Sequence, residues 1–155
     1  MKNVISDRKG NYILVMRLNK GIQITIPRFG VLELFPGDYF YCGSAHGSGG
    51  IKSRVLRHLN IHAKRFWHID YLKNHMQILE IWYQVDPNNQ ECEFCQFLVG
   101  QNFSSIPIEG FGSSDCKKRC MAHLIKLPKN INLDRLYQEL KIIFDEMYRY
   151  FPNTV

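Results

Sequence analysis

The chain has 155 residues, of which 45% are hydrophobic and 22% are charged, so its composition indicates one globular domain over residues 1–155 and excludes a disordered chain. Its formal net charge of +6 favours a polyanionic partner. No apolar run reaches the ~20 residues of a membrane span, and the five cysteines without an N-terminal signal peptide indicate reduced thiols, so we expect a cytoplasmic protein with no membrane partner.

Four short strands are predicted in the first part of the chain, separated by turn-forming residues. Apolar residues occupy both faces of the first strand, which should therefore lie in a sheet that is covered on both sides. The second strand alternates cleanly and ends at Pro27, and an extra hairpin is expected between the first strand and the fourth. The predicted strands span Tyr12–Leu18, Ile22–Ile26, Val31–Leu34 and Tyr39–Gly43.

A glycine-rich loop joins the fourth strand to a basic helix. Gly43, Gly47, Gly49 and Gly50 lack a Cβ, so their backbone can approach a bulky anion closely. The helix predicted over residues 51–59 offers free N–H groups and the positive end of its dipole at its start. This stretch therefore predicts a phosphate site, although an amphipathic surface helix after a flexible turn would give the same pattern.

Helices and strands alternate in the rest of the chain, with a Gly- and Ser-rich loop over residues 106–115. The predicted elements are a short buried helix at Phe66–Leu72, a strand at Gln77–Gln84, a helix at Glu91–Val99, a strand at His123–Leu127 and a C-terminal helix over about 132–150 with Asn132 as its cap. The expected fold class is α+β, a small and mainly antiparallel sheet flanked by helices, with its core over about 10–127.

Charge is unevenly distributed along the sequence. Residues 47–75 contain six basic residues and one acidic residue, whereas residues 76–100 contain four acidic residues and no Lys or Arg. A basic surface beside an acidic one suits a site for phosphates and a divalent cation. Two ordinary solvated faces would produce the same distribution.

Several short motifs follow one another in an order that resembles the GIY-YIG nucleases. Gly10–Tyr12 and Tyr41–Gly43 correspond to the two motifs that name this family, and Arg54 and Glu91 follow them. The chain more closely resembles a subfamily of short GIY-YIG-like proteins, some of which are fused to endonuclease III. The motifs shared with that subfamily are Gly43–Ala45, Arg54–His58, Trp67–Asp70, Glu91–Cys92 and Phe111–Cys116.

The resemblance implies a metal-dependent endonuclease that hydrolyses DNA phosphodiester bonds, with DNA repair as its setting. Tyr12 and Tyr41 would lie side by side on neighbouring strands, and one phenol would help to deprotonate the attacking water. Arg54 would grip the scissile phosphate, while His58 would contact a phosphate or transfer a proton. Glu91 would bind one Mg²⁺ or Mn²⁺, because these hard cations prefer carboxylate oxygen and water.

Further contacts to the DNA backbone are expected from polar and basic side chains around the same helix. These predicted nucleic-acid-binding residues are Ser44, Lys52, Arg57, Lys64 and Arg65. The sequence shows no second domain for specificity, so a protein partner or a dimer would supply it.

Departures from the family pattern leave an alternative function open. Asn11 and Cys42 stand where the family motifs have isoleucine, and the extra hairpin lengthens the interval between the two tyrosines. Glu93 and Gln96 are alternative counterparts of the metal-binding carboxylate. If Gln96 is that counterpart, the protein would be a non-catalytic nucleic-acid-binding module of the same fold.

Cysteine and histidine spacing predicts a second metal site. Cys92 and Cys95 form a C-x2-C pair, and a C-x3-C-x2-H run follows them in the chain. These residue types suit a tetrahedral structural zinc ion, although small buried thiols would explain the first pair equally well. The candidate zinc ligands are Cys92, Cys116, Cys120 and His123. A zinc-stabilised protein-interaction domain is therefore the third interpretation of the sequence.

Overall fold

The structure is a computed structural model that describes residues 4–114 and 116–152. These residues form strands β1 (Gly10–Leu18), β2 (Ile22–Ile26), β3 (Gly30–Leu34), β4 (Gly37–Ala45), β5 (Gln77–Val85), β6 (Leu124–Leu127) and β7 (Met147–Tyr150), and helices α1 (Gly50–Leu59), α2 (His68–Leu72), α3 (Glu91–Val99) and α4 (Leu133–Ile143). Among these helices, none combines the length and the apolar character that crossing a bilayer requires.

The main sheet has five strands in the order β6-β4-β1-β5-β7, and every pairing in it is antiparallel. Strand β1 lies at its centre, between β4 and β5. In this register Tyr12 faces Gly43 on one side and Tyr83 on the other. Strands β2 and β3 form a separate two-stranded sheet, which is the expected hairpin between β1 and β4. The α+β prediction is confirmed.

Helices and the hairpin cover both faces of the sheet, because alternate residues of the central strands are apolar on both sides. On one face, Tyr12 and Leu14 join a core with Ile51 and Val55 of α1. On the other face, the neighbouring side chains of β1 pack with residues of α3 and α4. The members of this second core include Ile13, Val15, Trp82, Phe94, Leu98 and Leu140.

The C-terminal helix is shorter than predicted. Asn132 caps α4 as expected, since its side chain accepts a hydrogen bond from Arg135 N at 3.0 Å, but the helix ends at Ile143. Residues 147–150 form the edge strand β7 on β5. Met147 is buried, so the apolar spacing that predicted a helix over 132–150 extends to this residue. Met147 nevertheless belongs to strand β7 rather than to a helix. The aromatic side chain of Tyr148, which stacks on Tyr83 of β5, favours that pairing.

Candidate functional site

The N-terminal segment of the chain occupies the start of α1. The backbone N–H of Ile51 donates to the carbonyl oxygen of Arg8 at 3.0 Å, and that of Lys52 donates to the carbonyl oxygen of Ser6 at 2.9 Å. Gly50 permits this close approach, because a Cβ there would lie 2.4 Å from the carbonyl oxygen of Arg8. The predicted phosphate site at this helix start is therefore wrong, since the N–H groups that a phosphate needs are already bonded within the chain.

Tyr12 and His58 form a buried pair above the sheet. The Tyr12 hydroxyl lies 2.6 Å from Nε2 of His58. The Tyr12 ring passes directly over Gly43, where a Cβ would lie 2.4 Å from its Cζ atom, so the glycine of the second motif makes room for the tyrosine of the first. Tyr12 is 2% exposed and His58 is 1% exposed.

Burial keeps this pair neutral. It raises the pKa of Tyr12 well above 10.0, and the neighbouring Tyr41 adds to the shift. Burial, followed by the positive charge of Lys73, lowers the pKa of His58 to about 3. The structure therefore places two predicted catalytic residues beneath the surface, where a phosphate cannot reach them directly.

Trp67 is a platform for two arginines of α1. The Cζ atoms of Arg54 and Arg57 lie 4.4 Å and 4.2 Å from the centroid of the indole ring. Arg57 also donates two hydrogen bonds to the Asp70 carboxylate, at 3.1 Å and 3.0 Å, and a third to the carbonyl oxygen of Lys64. Arg54 forms no ion pair within residues 4–114 and 116–152. Stacking thus holds both guanidinium groups, but only that of Arg54 keeps its charge available for an incoming anion.

The ion pair of Asp70 makes stability depend on pH. Burial by itself raises the pKa of Asp70, but hydrogen bonds from Arg57 and from the backbone of Trp67 and Phe66 outweigh it and lower the pKa below 3.8. A carboxyl group whose pKa is lower in the folded state stabilises the fold above its unfolded-state pKa, and this stabilisation is lost as the pH falls through the folded-state value. We expect the free energy of unfolding in urea to decrease as the pH falls below about 4.

Asp70→Asn should remove this pH-dependent component and cost about 3–5 kcal/mol at pH 7, because the buried partner charges are left unpaired. Asp134→Asn is the matched control, since the Asp134 side chain is 81% exposed in its pair with Arg149 and should contribute less than about 1 kcal/mol. An unfolding free energy with the same pH profile in wild type and Asp70→Asn would contradict this assignment.

An open cleft of about 270 Å³ lies beside the Trp67 platform. Its lining comprises Tyr41, Phe66, Trp67, His68, Glu91, Gly112, Ser114, Cys116 and His123. Burial, together with the negative charge of Glu91, raises the pKa of Tyr41, so its phenol stays protonated at neutral pH. Gly112 closes one wall in a left-handed conformation (φ 72°), and its N–H donates to Nδ1 of His68 at 3.0 Å. The shared motif Phe111–Cys116 therefore lies at the cleft, with Asp115 outside the described residues.

Asn11 fixes the helix that carries Glu91. Its side-chain oxygen accepts from the N–H of Gln90, the residue before α3, at 3.1 Å, and its amide nitrogen donates to Asn88 O at 2.9 Å. Asn11 is fully buried, so these bonds tie the start of α3 to β1. An isoleucine at this position would leave these backbone groups unpaired. This bonding accounts for a polar residue at position 11, and it could not be predicted from the sequence because Asn88 and Gln90 lie far from Asn11 in the chain.

Glu91 differs from Glu80 and Glu93 in having no tight ion pair. Glu80 is bonded to Arg149, and Glu93 is paired with Lys118. The nearest basic partner of Glu91 is Nδ1 of His123, at 3.9 Å. The acidic residues of the sequence are thus dispersed over the fold, and Glu91 is the one carboxylate among the described residues of the cleft wall.

Three thiols and one imidazole meet at the end of this cleft. The ligand atoms of Cys92, Cys116, Cys120 and His123 all lie within 4.8 Å of one another. Cys92 Sγ lies 3.3 Å from Cys116 Sγ and 3.8 Å from His123 Nε2. Burial raises the pKa of Cys116, but hydrogen bonds from Cys120, Cys92 and His123 outweigh it and lower the value to about 6. These four residues could hold a metal ion, as their spacing predicted, whereas Cys95 packs in the core with Cys42.

The remaining predicted contacts to nucleic acid lie at different depths. Lys52, Lys64 and Arg65 are exposed, and Ser44 is half-buried. Arg57 is bound to Asp70, so its guanidinium is part of the internal framework rather than of an open surface. The sequence alone could not separate Arg57 from Arg54, because the distinction depends on an aspartate that α2 brings to α1.

Comparison with known proteins leaves the assignment at the level of a family. No curated protein and no solved structure matches the chain. Residues 11–145 match the model of a domain of unknown function, DUF123. The matched region runs from β1 to just beyond α4 and contains every residue that lines the cleft. Since the match covers most of its length, the chain belongs to the DUF123 family.

Proposed function

We propose that this protein is a divalent-metal-dependent endonuclease that hydrolyses DNA phosphodiester bonds, with DNA repair as its setting. One observation carries the proposal: Tyr41 and Glu91 line a single open cleft, and the Trp67 wall of that cleft carries the guanidinium of Arg54. These three groups come from β4, α3 and α1. The GIY-YIG resemblance of the sequence supports the same reaction.

Each of the three side chains has a role that its surroundings support. Arg54 binds the scissile phosphate and stabilises the charge that develops there, because its guanidinium is held in place and is not neutralised by a described acid. Tyr41 is a neutral phenol that orients the attacking water by hydrogen bonding rather than a phenolate that removes its proton. Tyr12 and His58 act from below as a rigid support for this arrangement.

The donor set of the cleft is compatible with Mg²⁺ or Mn²⁺. A hard cation of this kind is commonly bound through one or two carboxylates, with water and substrate phosphate as its other ligands. Glu91 provides that carboxylate, and its side chain is 20% exposed. Such an ion, when bound, polarises the phosphate and lowers the pKa of a coordinated water.

Plasmid nicking tests the proposal. Supercoiled DNA should be nicked in Mg²⁺ or Mn²⁺ and not in EDTA, and Glu91→Gln should lower the rate by about 100-fold, because the amide keeps the shape but binds a hard cation poorly. The matched control is Glu139→Gln, which changes an exposed glutamate of α4 paired with Arg135. Equal nicking by wild type and Glu91→Gln would exclude Glu91 as the metal ligand.

A non-cleaving DNA-binding module is the second candidate. The neutral and buried Tyr12–His58 pair favours it, since neither group can act as a solvent-accessible base. Salt-sensitive binding of DNA without nicking in any metal would support this candidate over the first.

We further propose that the Cys92, Cys116, Cys120 and His123 set binds a structural zinc ion. Three thiolates and one imidazole are a common tetrahedral set, and four protein ligands leave no open position for catalysis. The carboxylate of Glu91 near Nδ1 of His123 matches the usual outer partner of a metal-bound histidine. A zinc ion here would fasten the loop that walls the cleft to α3.

A further inference from the structure

We propose that Phe66 is a stacking platform for an unpaired base of DNA, so that the preferred substrates contain a single-stranded segment beside the bond that is cut. The inference rests on the proposed endonuclease function and names the substrate class for the same cleft. It starts from an aromatic side chain whose position has no structural explanation within the fold.

The side chain of Phe66 is exposed although the backbone that carries it is held by a hydrogen bond. The residue is 78% exposed, and its ring meets the Trp67 ring edge-on, with 5.5 Å between the centroids. Its backbone N–H donates to Oδ2 of Asp70 at 2.8 Å, and Asp70 is itself fixed by two hydrogen bonds from Arg57. A large exposed apolar ring on a fixed backbone, with another ring against its edge, is typical of a binding contact, because less conformational entropy is lost when a ligand covers it.

Basic residues lie close to Phe66 in the chain and at the neighbouring indole, and the guanidinium of Arg65 lies 5.2 Å from the Tyr71 ring centroid. Lys64 and Arg65 precede Phe66 and are exposed, and Arg54 lies over the neighbouring indole. Phe66 itself lines the cleft together with Tyr41 and Glu91. A base on the Phe66 ring would therefore have its phosphates in basic surroundings and its strand directed toward the proposed catalytic groups.

The geometry of a nucleobase selects for unpaired DNA. A base inside a duplex has both of its faces covered by neighbouring bases, so an aromatic side chain can stack only on a base that has left the helix. Stacking on aromatic side chains contributes to binding regardless of base identity, because every base has a π face. Phe66 thus predicts a preference for gapped, flapped or single-stranded DNA without a preference for sequence.

Fluorescence anisotropy with the 155-residue chain, without added divalent metal, measures this preference without cleavage. The probes are two labelled DNAs of the same length, one a complete duplex and the other a duplex with a short single-stranded gap. We expect wild type to bind the gapped DNA about tenfold more tightly, Phe66→Ala to lose that difference while keeping its affinity for the duplex, and Phe66→Trp to retain it. Phe103→Ala is the matched control, because Phe103 is 86% exposed but follows α3 outside the cleft lining.

A second readout reports the stacking itself. The fluorescence of 2-aminopurine placed in the gap should be quenched on binding to wild type and not on binding to Phe66→Ala. If Phe66→Ala weakens both DNAs equally, or leaves the preference for gapped DNA intact, the stacking role is overturned while DNA binding stands. If wild type binds neither DNA, the inference and the proposed function both fail. If wild type shows no preference for gapped DNA but binds vesicles of anionic phospholipid through Phe66, the stacking role is overturned and Phe66 is a membrane contact instead.

Discussion

Arg54→Ala is expected to lower the rate of metal-dependent DNA cleavage by about 10²–10³-fold, the usual effect of removing a preorganised group that stabilises developing charge. The guanidinium lies 4.4 Å above the Trp67 ring beside the cleft and has no acidic partner in the described part of the chain. Its positive charge is therefore available to the phosphate in the transition state. The measurement is the nicking rate at saturating DNA, so that weaker binding and slower chemistry are separated.

Two variants test whether the effect belongs to this side chain. Arg54→Lys should recover little of the rate, because an ammonium group neither stacks on the indole in the same way nor binds a phosphate through two parallel hydrogen bonds. Arg135→Ala should cleave like wild type, since Arg135 lies on α4 with a side chain that is 78% exposed. Cleavage by Arg54→Ala at the wild-type rate would remove Arg54 from the site and with it the proposed arrangement.

Loss of the proposed zinc ion should have a large effect on stability. We expect elemental analysis to find one zinc ion per chain in wild type and none in Cys120→Ser. Zinc held at a free concentration a thousandfold above its Kd adds about 4 kcal/mol to the stability of the folded state. For a chain of this size that corresponds to a decrease in Tm of about 10 °C on removal of the metal.

Cys95→Ala is the matched control for the zinc site, because it changes a buried thiol outside the four-residue set. This variant should keep its zinc even though the loss of a buried side chain lowers its stability. Chelation of wild type should lower the Tm to that of Cys120→Ser and should have no further effect on Cys120→Ser itself. A metal-free wild type with an unchanged Tm after exposure to zinc would contradict the assignment.

The strands could be predicted from the sequence because their signal is local. Short runs of apolar and aromatic residues located β1, β2, β4 and β5 to within a few residues, and turn residues separated them. The prediction of a helix up to about residue 150 was wrong because it, too, used only local spacing. Apolar residues from Leu133 to Met147 keep a helical spacing, but the pairing of β7 with β5 is a contact between distant parts of the sequence, and tertiary contacts override local preference.

The cleft could be predicted only in part. The ordered motifs indicated Tyr41, Arg54 and Glu91, and the spacing of cysteine and histidine indicated the metal-binding set. The depth at which each side chain lies could not be predicted. Tyr12 is on the same face of the sheet as Tyr41, but His58 and α1 cover Tyr12. The hydrogen bonds at the start of α1 could not be predicted either, because the carbonyl groups that accept them come from residues more than forty positions earlier in the chain.

The stack on Trp67 has a spectroscopic consequence. The chain has two tryptophans, and Trp82 is fully buried in the opposite core, remote from any ligand in the cleft. Trp67 is half-buried, is stacked on by two arginines and lines the cleft wall, so we expect its indole emission to change when an anion approaches Arg54. The indole of Trp67 would therefore serve as an optical reporter of the proposed phosphate binding, with Trp82 as an internal reference that needs no label.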